Sequence, residues 1–172
     1  MLTENKYFGG SNADLLLARE NTDFPILRKD FIIDEFQVIE SKSIGADAIL
    51  LIAAVLEKKE VLRFAGLAHS LGMEVLLEIH DVSELEKVNP YTDIIGVNNR
   101  NLKTFAVDIE ISENLAEKIP GGFLKISESG ISSPQIVTNL RNSGYNGFLI
   151  GEKFMCTPDP VRAFSEFVED LI

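Results

Sequence analysis

The sequence predicts an α/β protein built around a parallel sheet, because short apolar runs alternate along it with amphipathic stretches of helical period. The runs lack the in-and-out alternation of a half-exposed strand, which indicates strands covered by helices on both faces. Repeated strand–helix units leave two architectures, an open doubly wound sheet or a closed (β/α)8 barrel. No Gly-x-Gly-x-x-Gly segment follows the first run, so the dinucleotide-binding form of the open sheet lacks its signature. The six predicted strands are 24–27, 48–52, 75–77, 94–97, 123–126 and 148–150.

Helical patterns lie before the first run and after every run. Asp34 is a predicted N-cap, and Gly45 is the stop for the helix that it opens. The stretch 57–71 carries apolar residues at a 3.6-residue period and is followed by Gly72. The predicted helices are 11–20, 34–45, 57–71, 81–88, 108–119, 133–142 and 159–171.

Composition restricts the partners that the chain can have. The 172 residues are 45% hydrophobic, and 16 Lys and Arg against 27 Asp and Glu give a net charge of −11. A field of that sign repels nucleic acid and anionic membranes. The single cysteine, Cys156, excludes an internal disulfide, and a cysteine-cluster metal site with it. The polar first residues lack an apolar leader, and the longest apolar run, 48–56, is too short to span a bilayer. We therefore expect a cytoplasmic protein with no nucleic-acid or membrane partner and no bound metal.

Polar side chains close five of the six predicted strands. Lys29 follows the first run, Glu78 the third, Asn98 and Arg100 the fourth, Glu128 the fifth and Glu152 the sixth. The carboxyl ends of parallel strands are where α/β folds place their chemistry, so these side chains are expected to converge on one rim. A buried carboxylate is costly unless it is paired. Lys29 is therefore the predicted partner of either glutamate.

The last two strand ends are small-residue turns that lead into helices. Ser129-Gly130 and Gly151-Glu152 present backbone N–H groups that can cradle a phosphate, although plain turns are the alternative. A barrel usually binds phosphate after its seventh and eighth strands. On that numbering, two strands would precede residue 1. The length agrees, since a complete barrel usually needs about 250 residues and at least roughly 200.

Seven segments together resemble indole-3-glycerol phosphate synthase in order and spacing, over essentially the whole chain. The resemblance implies a (β/α)8-barrel family fold, with residues 1–172 forming one partial barrel domain. That domain would hold strands 3–8 and their helices, the first one to two strands being missing. The segments are FGGS at 8–11, LRKDFI at 27–32, GADA at 45–48, EIHD at 78–81, GVNNRNL at 96–102, SESGI at 127–131 and IGE at 150–152.

The resemblance also implies a reaction and a set of roles. The family closes the indole ring of 1-(2-carboxyphenylamino)-1-deoxyribulose 5-phosphate in tryptophan biosynthesis, releasing CO2 and water without a metal or organic cofactor. Lys29 would be the general acid and Glu78 the general base of the dehydration, an arrangement typically contributing about 10²–10⁴-fold in rate. The implied catalytic set is Lys29, Glu78, Asn98 and Glu128, the substrate-binding set Arg100 and Ser129, and the phosphate-binding set Gly130, Gly151 and Glu152.

Two features leave alternatives open. The family's first strand, with its Glu and a Pro-Ser-Lys-Gly segment, has no counterpart in this sequence. The chain could therefore be a non-catalytic module that pairs with a missing N-terminal segment or with a second copy, since open sheet edges are templates for pairing. A related phosphate-binding barrel such as phosphoribosylanthranilate isomerase is a further alternative. That enzyme would need a Cys and Asp pair at strand ends, whereas Cys156 lies beyond the sixth strand's turn.

Overall fold

The structure, a computed structural model, describes residues 1–171, which divide into two compact units. The first unit consists of Met1–Ile79 and Ser83–Ile94. The second consists of His80–Val82 and the chain from Ile95 onward. Strands and helices alternate along both units, which confirms the α/β class predicted from the sequence.

The first unit holds three parallel strands in sequence order. Leu27 pairs with Ala48, and Ile52 pairs with Glu78, so the strands end at a similar level. Upstream of the first strand, Leu2 forms a parallel bridge with Lys29. The elements are α1 (Asn12–Asn21), β1 (Leu27–Arg28), α2 (Glu35–Ser43), β2 (Ala48–Ile52), α3 (Lys58–Ser70) and β3 (Glu74–Ile79).

Local sequence explains where these helices begin and which face they bury. Asp34 caps α2 as predicted: its side chain accepts a hydrogen bond from Phe36 N at 2.7 Å, while the Gln37 side chain accepts one from Asp34 N at 3.1 Å. This reciprocal capping box satisfies backbone donors that the first turn leaves unpaired. The apolar stripe predicted for α3 is buried at Val61, Ala65 and Ala68. Leu62, also predicted to lie in that stripe, is 46% exposed, and Phe64 is buried in its place.

The second unit repeats the alternation with shorter elements. Strand β4 is hydrogen-bonded to β5, and β5 pairs in parallel with β6. Ser133 and Asp159 stand at the N-caps of two helices whose first residues are prolines, the position that proline favours. The elements are β4 (Ile94–Asn98), α4 (Glu110–Ala116), β5 (Leu124–Glu128), α5 (Pro134–Asn142), β6 (Gly147–Leu149), α6 (Glu152–Met155) and α7 (Pro160–Glu169).

Several predicted bounds were wrong. The run 24–27 yields only the two-residue strand β1, and Phe24 is 79% exposed. The predicted helix 81–88 is a 3-10 helix, Val82–Lys87, and the predicted helix 108–119 narrows to α4. The helix α6 was not predicted at all, because four residues are too few for a periodic pattern.

No helix within residues 1–171 is both long enough and apolar enough to cross a membrane.

Candidate active site

Lys29 and Glu78 form an ion pair in the first unit. Lys29 follows β1 directly, and Glu78 is the penultimate residue of β3. Their Nζ and Oε2 atoms are 3.0 Å apart, with the Glu78 side chain 1% exposed and the Lys29 side chain 27% exposed. The pairing confirms Lys29 as the predicted partner of Glu78. A carboxylate removed from water to this extent requires such a partner, and the ammonium retains access to solvent.

Arg28 explains why Lys29 stands where it does. Successive residues of a strand point to opposite faces, so Arg28 faces α2 while Lys29 faces away from it. The buried guanidinium donates to Gln37 O and to Ser41 Oγ, both at 3.2 Å. It also donates to Thr3 Oγ1 at 3.0 Å. These hydrogen bonds attach the end of β1, which precedes Lys29, to α2 and to the first residues of the chain.

Two carboxylates complete the surroundings of that guanidinium. Arg28 lies 2.8 Å from Glu40 and 3.2 Å from Asp30, and Asp30 also accepts a hydrogen bond from Thr3 at 2.6 Å. No role was predicted for Arg28 from the sequence. The two-residue alternation of a strand would have indicated the role of Arg28. If Lys29 faces Glu78, its neighbour Arg28 must face the helices.

In the second unit, Asn98 is the last residue of β4, and Arg100 lies two residues beyond it. Asn98 is 8% exposed, and its Oδ1 atom accepts a hydrogen bond from Arg100 N at 3.0 Å. The Arg100 guanidinium pairs with the exposed Glu152 carboxylate and donates to Phe105 O at 3.4 Å. The predicted substrate-binding arginine therefore carries its own counter-ion in this structure.

Glu128 and the turn after it end β5. The Glu128 side chain is 1% exposed, and its carbonyl accepts a hydrogen bond from Asn99 N at 2.9 Å. Ser129 has a φ of +68° and Gly130 a φ of +73°. An ideal Cβ on Gly130 would lie 2.3 Å from Val107 Cγ1, so both the backbone angle and the space require glycine.

The third predicted group lies around α6. Gly151 is the N-cap of α6 and Glu152 its first residue. Because the Glu152 carboxylate is negative and already pairs with Arg100, a phosphate bound here would depend on backbone N–H groups. Within residues 1–171, no cluster of three or more His, Cys, Asp or Glu side chains is arranged to hold a metal ion.

Asn99 was not among the site residues predicted from the sequence. Its side chain is fully buried and hydrogen-bonded to Ser112 on α4 and to the turn after β5. The same alternation argument applies here, since Asn98 and Asn99 must face opposite sides of the strand end.

The fold is shared with solved structures at low sequence identity. Against 3-hexulose-6-phosphate synthase from Salmonella typhimurium, the TM-score is 0.81 at 14% identity, covering 99% of this chain and 84% of that one. Against a tryptophan synthase α-subunit from Pyrococcus furiosus, it is 0.70 at 15% identity, covering 94% and 71%. These likenesses define a chain with the fold of the (β/α)8-barrel enzymes.

Sequence comparison identifies the family. The family model for indole-3-glycerol phosphate synthase matches residues 1–167. The indole-3-glycerol phosphate synthase of Bacteroides thetaiotaomicron is 52% identical over 169 residues, and that of Polynucleobacter asymbioticus 46% over 167. The chain belongs to the indole-3-glycerol phosphate synthase family, as its sequence motifs predict. It spans 65% and 62% of the length of these two relatives.

Proposed function

We propose that this chain carries the indole-3-glycerol phosphate synthase activity for which its relatives are named. The reaction would close the indole ring of 1-(2-carboxyphenylamino)-1-deoxyribulose 5-phosphate and release CO2 and water. The observation that carries the proposal is the Lys29–Glu78 pair, an ammonium and a buried carboxylate 3.0 Å apart at two strand ends. That separation lies within the range over which positioned side chains transfer protons.

Lys29 is proposed to supply protons to the substrate oxygen that begins as the ribulose carbonyl and departs as water. As the new carbon–carbon bond forms, the bond to the carboxyl carbon breaks, and its electrons restore the aromatic ring when CO2 leaves. The oxygen takes up two protons in all, one on becoming a hydroxyl and one on departing. Lys29 can be reprotonated from solvent between the two transfers, because its side chain is 27% exposed.

Glu78 is proposed to remove the proton from the carbon next to the ring nitrogen when water departs. Two protons enter and one leaves, so one turnover starting from the carboxylate form of the substrate consumes one proton from solvent. The hydrogen bond between Glu78 and Lys29 supports this role, because the proton gained by the carboxylate can pass back to the amine. Burial of Glu78 keeps competing water away from the carboxylate.

The remaining predicted residues are proposed to bind the substrate. Asn98 and Glu128 would orient the reacting groups as part of the catalytic set, and Arg100 and Ser129 would contact the substrate. Backbone N–H groups of the turns at Gly130, Gly151 and Glu152 would hold the phosphate. Arg100 supports this assignment, because its guanidinium is 30% exposed and its only strong ionic partner among residues 1–171 is the exposed Glu152.

The proposed partner is a small phosphorylated substrate, with no nucleic acid or membrane, and the proposed location is the cytoplasm, where such metabolites are held.

The family match favours neither the isomerase alternative nor a purely non-catalytic module. For the isomerase, Cys156 offers little support, since it is exposed and stands at the C-cap of α6 rather than at a strand end.

The test measures the fluorescence of indole-glycerol phosphate formed from the ribulotide substrate. The chain is assayed alone and fused to the part of the Bacteroides thetaiotaomicron relative that lies outside the matched 169 residues. We expect product from the fusion, unchanged after dialysis against a chelator, and none from its Lys29→Met variant. A fusion without turnover, or one whose turnover survives Lys29→Met, would overturn the proposal.

A sedimentation measurement separates the module alternative. A chain that is inactive alone, sediments as a dimer and stays inactive in the fusion would be a pairing module rather than an enzyme. A monomer that becomes active only in the fusion would support the enzyme.

A further inference from the structure

The side-chain amide of Asn99 is fully buried just beyond the end of β4. Its Nδ2 atom donates to three oxygens: Ser127 Oγ at 3.1 Å, Glu128 O at 3.0 Å and Ser129 O at 3.1 Å. Its Oδ1 atom accepts from Ser112 Oγ at 2.8 Å and from Ser112 N at 3.1 Å. Two hydrogens serve three acceptors, so one of them is shared, and the hydrogen-bonding capacity of the amide is fully used.

Two of those acceptors are the carbonyls of the turn that follows β5. Ser129 adopts a φ of +68°, a region that residues with a Cβ rarely occupy and that persists only where its surroundings hold it. Asn99 holds it from two directions, because its backbone N–H also donates to Glu128 O at 2.9 Å. The direction of the Glu128 and Ser129 side chains follows from the orientation of these peptide groups.

The contacts of Asn99 divide into two sets with different consequences. The Oδ1 atom contacts α4 through Ser112, whose hydroxyl also lies 2.7 Å from Ser127 Oγ. The Ser112–Ser127 contact joins α4 to β5 and does not involve Asn99. Of the side-chain atoms of Asn99, only Nδ2 contacts the carbonyls of the turn.

We infer that Asn99 is a positioning residue that sets the Glu128–Ser129 turn for the reaction, acting through the turn and not on the substrate. The inference rests on the proposed function for its catalytic consequence. Its other part, that Asn99 fixes the conformation of the turn, rests on the hydrogen-bond geometry alone. A one-ångström displacement of a positioned group can cost about 10²-fold in rate, so the loss of two carbonyl contacts should reduce turnover.

The experiment compares Asn99→Ala with Ser112→Ala in the active form of the protein. Both variants delete hydrogen bonds of the same buried cluster, but only Asn99→Ala removes the side-chain bonds to the turn carbonyls, while the backbone N–H of residue 99 still donates to Glu128 O. We expect Asn99→Ala to lower kcat by about 10²-fold, the cost of a displacement of about 1 Å. Ser112→Ala should lose thermal stability and keep kcat. Equal kcat values for the two variants, when the parent is active, would overturn the inference.

A second readout needs no turnover. The carbonyl ¹³C shift and the φ-dependent coupling of Ser129 are measured by NMR in the parent and in both variants. We expect them to change in Asn99→Ala alone, and an unchanged Ser129 would overturn the inference. If Asn99→Ala does not fold, Asn99→Asp replaces it, because Asp keeps the shape and the Oδ1 acceptor but lacks the Nδ2 donors. An inactive parent would count against the proposed function, while the NMR result would still decide whether Asn99 holds the turn.

Discussion

The Lys29–Glu78 pair in the first unit and the turn after β5 in the second unit are held by different physical means. In the first unit a buried carboxylate and an ammonium pair directly, and two further carboxylates surround the Arg28 guanidinium next to them. In the second unit the turn after β5 is held by an amide, two hydroxyls and backbone groups, all of them neutral. Charged groups therefore dominate the contacts of Arg28 and Lys29, and neutral hydrogen bonds dominate those that hold the backbone of the turn. Substitutions should consequently have different effects in the two units.

The largest effect is expected from removal of the proposed base. Glu78→Gln keeps the shape of the side chain but cannot accept a proton, so kcat should fall by about 10²–10⁴-fold. Glu74→Gln, at the exposed start of the same strand, is the matched control and should leave kcat unchanged. Steady-state kinetics on the active fusion would measure both. A Glu78→Gln enzyme with parental kcat would remove the carboxylate from the reaction.

Loss of the buried guanidinium should produce the largest change in stability. Arg28→Leu leaves Asp30 and Glu40 without their partner, and breaking a buried charge network in this way costs about 3 kcal/mol. The control is Arg63→Leu, whose ion pair with Glu35 at 3.2 Å is half exposed, and whose loss should change little. Urea unfolding of the chain would give both values. Similar costs for the two variants would show that the charges near Lys29 are not a buried network.

A small methyl group tests the role of shape in the second unit. Gly130→Ala would place its Cβ 2.3 Å from Val107 Cγ1 at a φ of +73°, and strain of this kind costs about 2 kcal/mol. Gly121→Ala is the control, because no heavy atom lies within 4 Å of its Cβ position. Thermal unfolding would compare them. If Gly130→Ala were no less stable than Gly121→Ala, the turn would be more tolerant than its geometry indicates.

The smallest expected effect is a shift in alkaline titration. Burial raises the pKa of Tyr145 to about 12 despite its hydrogen bond to Ser112 O at 2.7 Å. The unfolded chain then loses this proton near the ordinary pKa of about 10. The corresponding stability is therefore present below pH 10 and is lost as the pH rises towards 12. Ultraviolet titration should show a tyrosine step near pH 12 that Tyr145→Phe lacks. A parent without that step would contradict the assignment.

The sequence predicted those parts of the fold in which local pattern and tertiary environment agree. Strand β2 is found at the predicted residues 48–52, and Asp34 caps α2 as expected. The strand predicted at 24–27 was wrong over most of its length, because apolar character does not report solvent exposure and because Pro25 has no N–H to donate to a neighbouring strand. The Lys29–Glu78 ion pair was predicted because burial demands a partner for Glu78. The buried roles of Asn99 and Arg28 were not predicted, because the side chains that bind them belong to helices further along the chain.

Arg28 and Lys29 are neighbouring cations whose side chains have entirely different surroundings. One lies buried against α2, and the other meets Glu78. Since side chains in a strand alternate, inserting or deleting one residue in this short segment would exchange the two cations, because every following side chain turns to the opposite face. The segment should therefore tolerate a conservative change of residue far better than a change of length. The position of a residue in this alternation, more than its identity, determines which cation reaches the carboxylate.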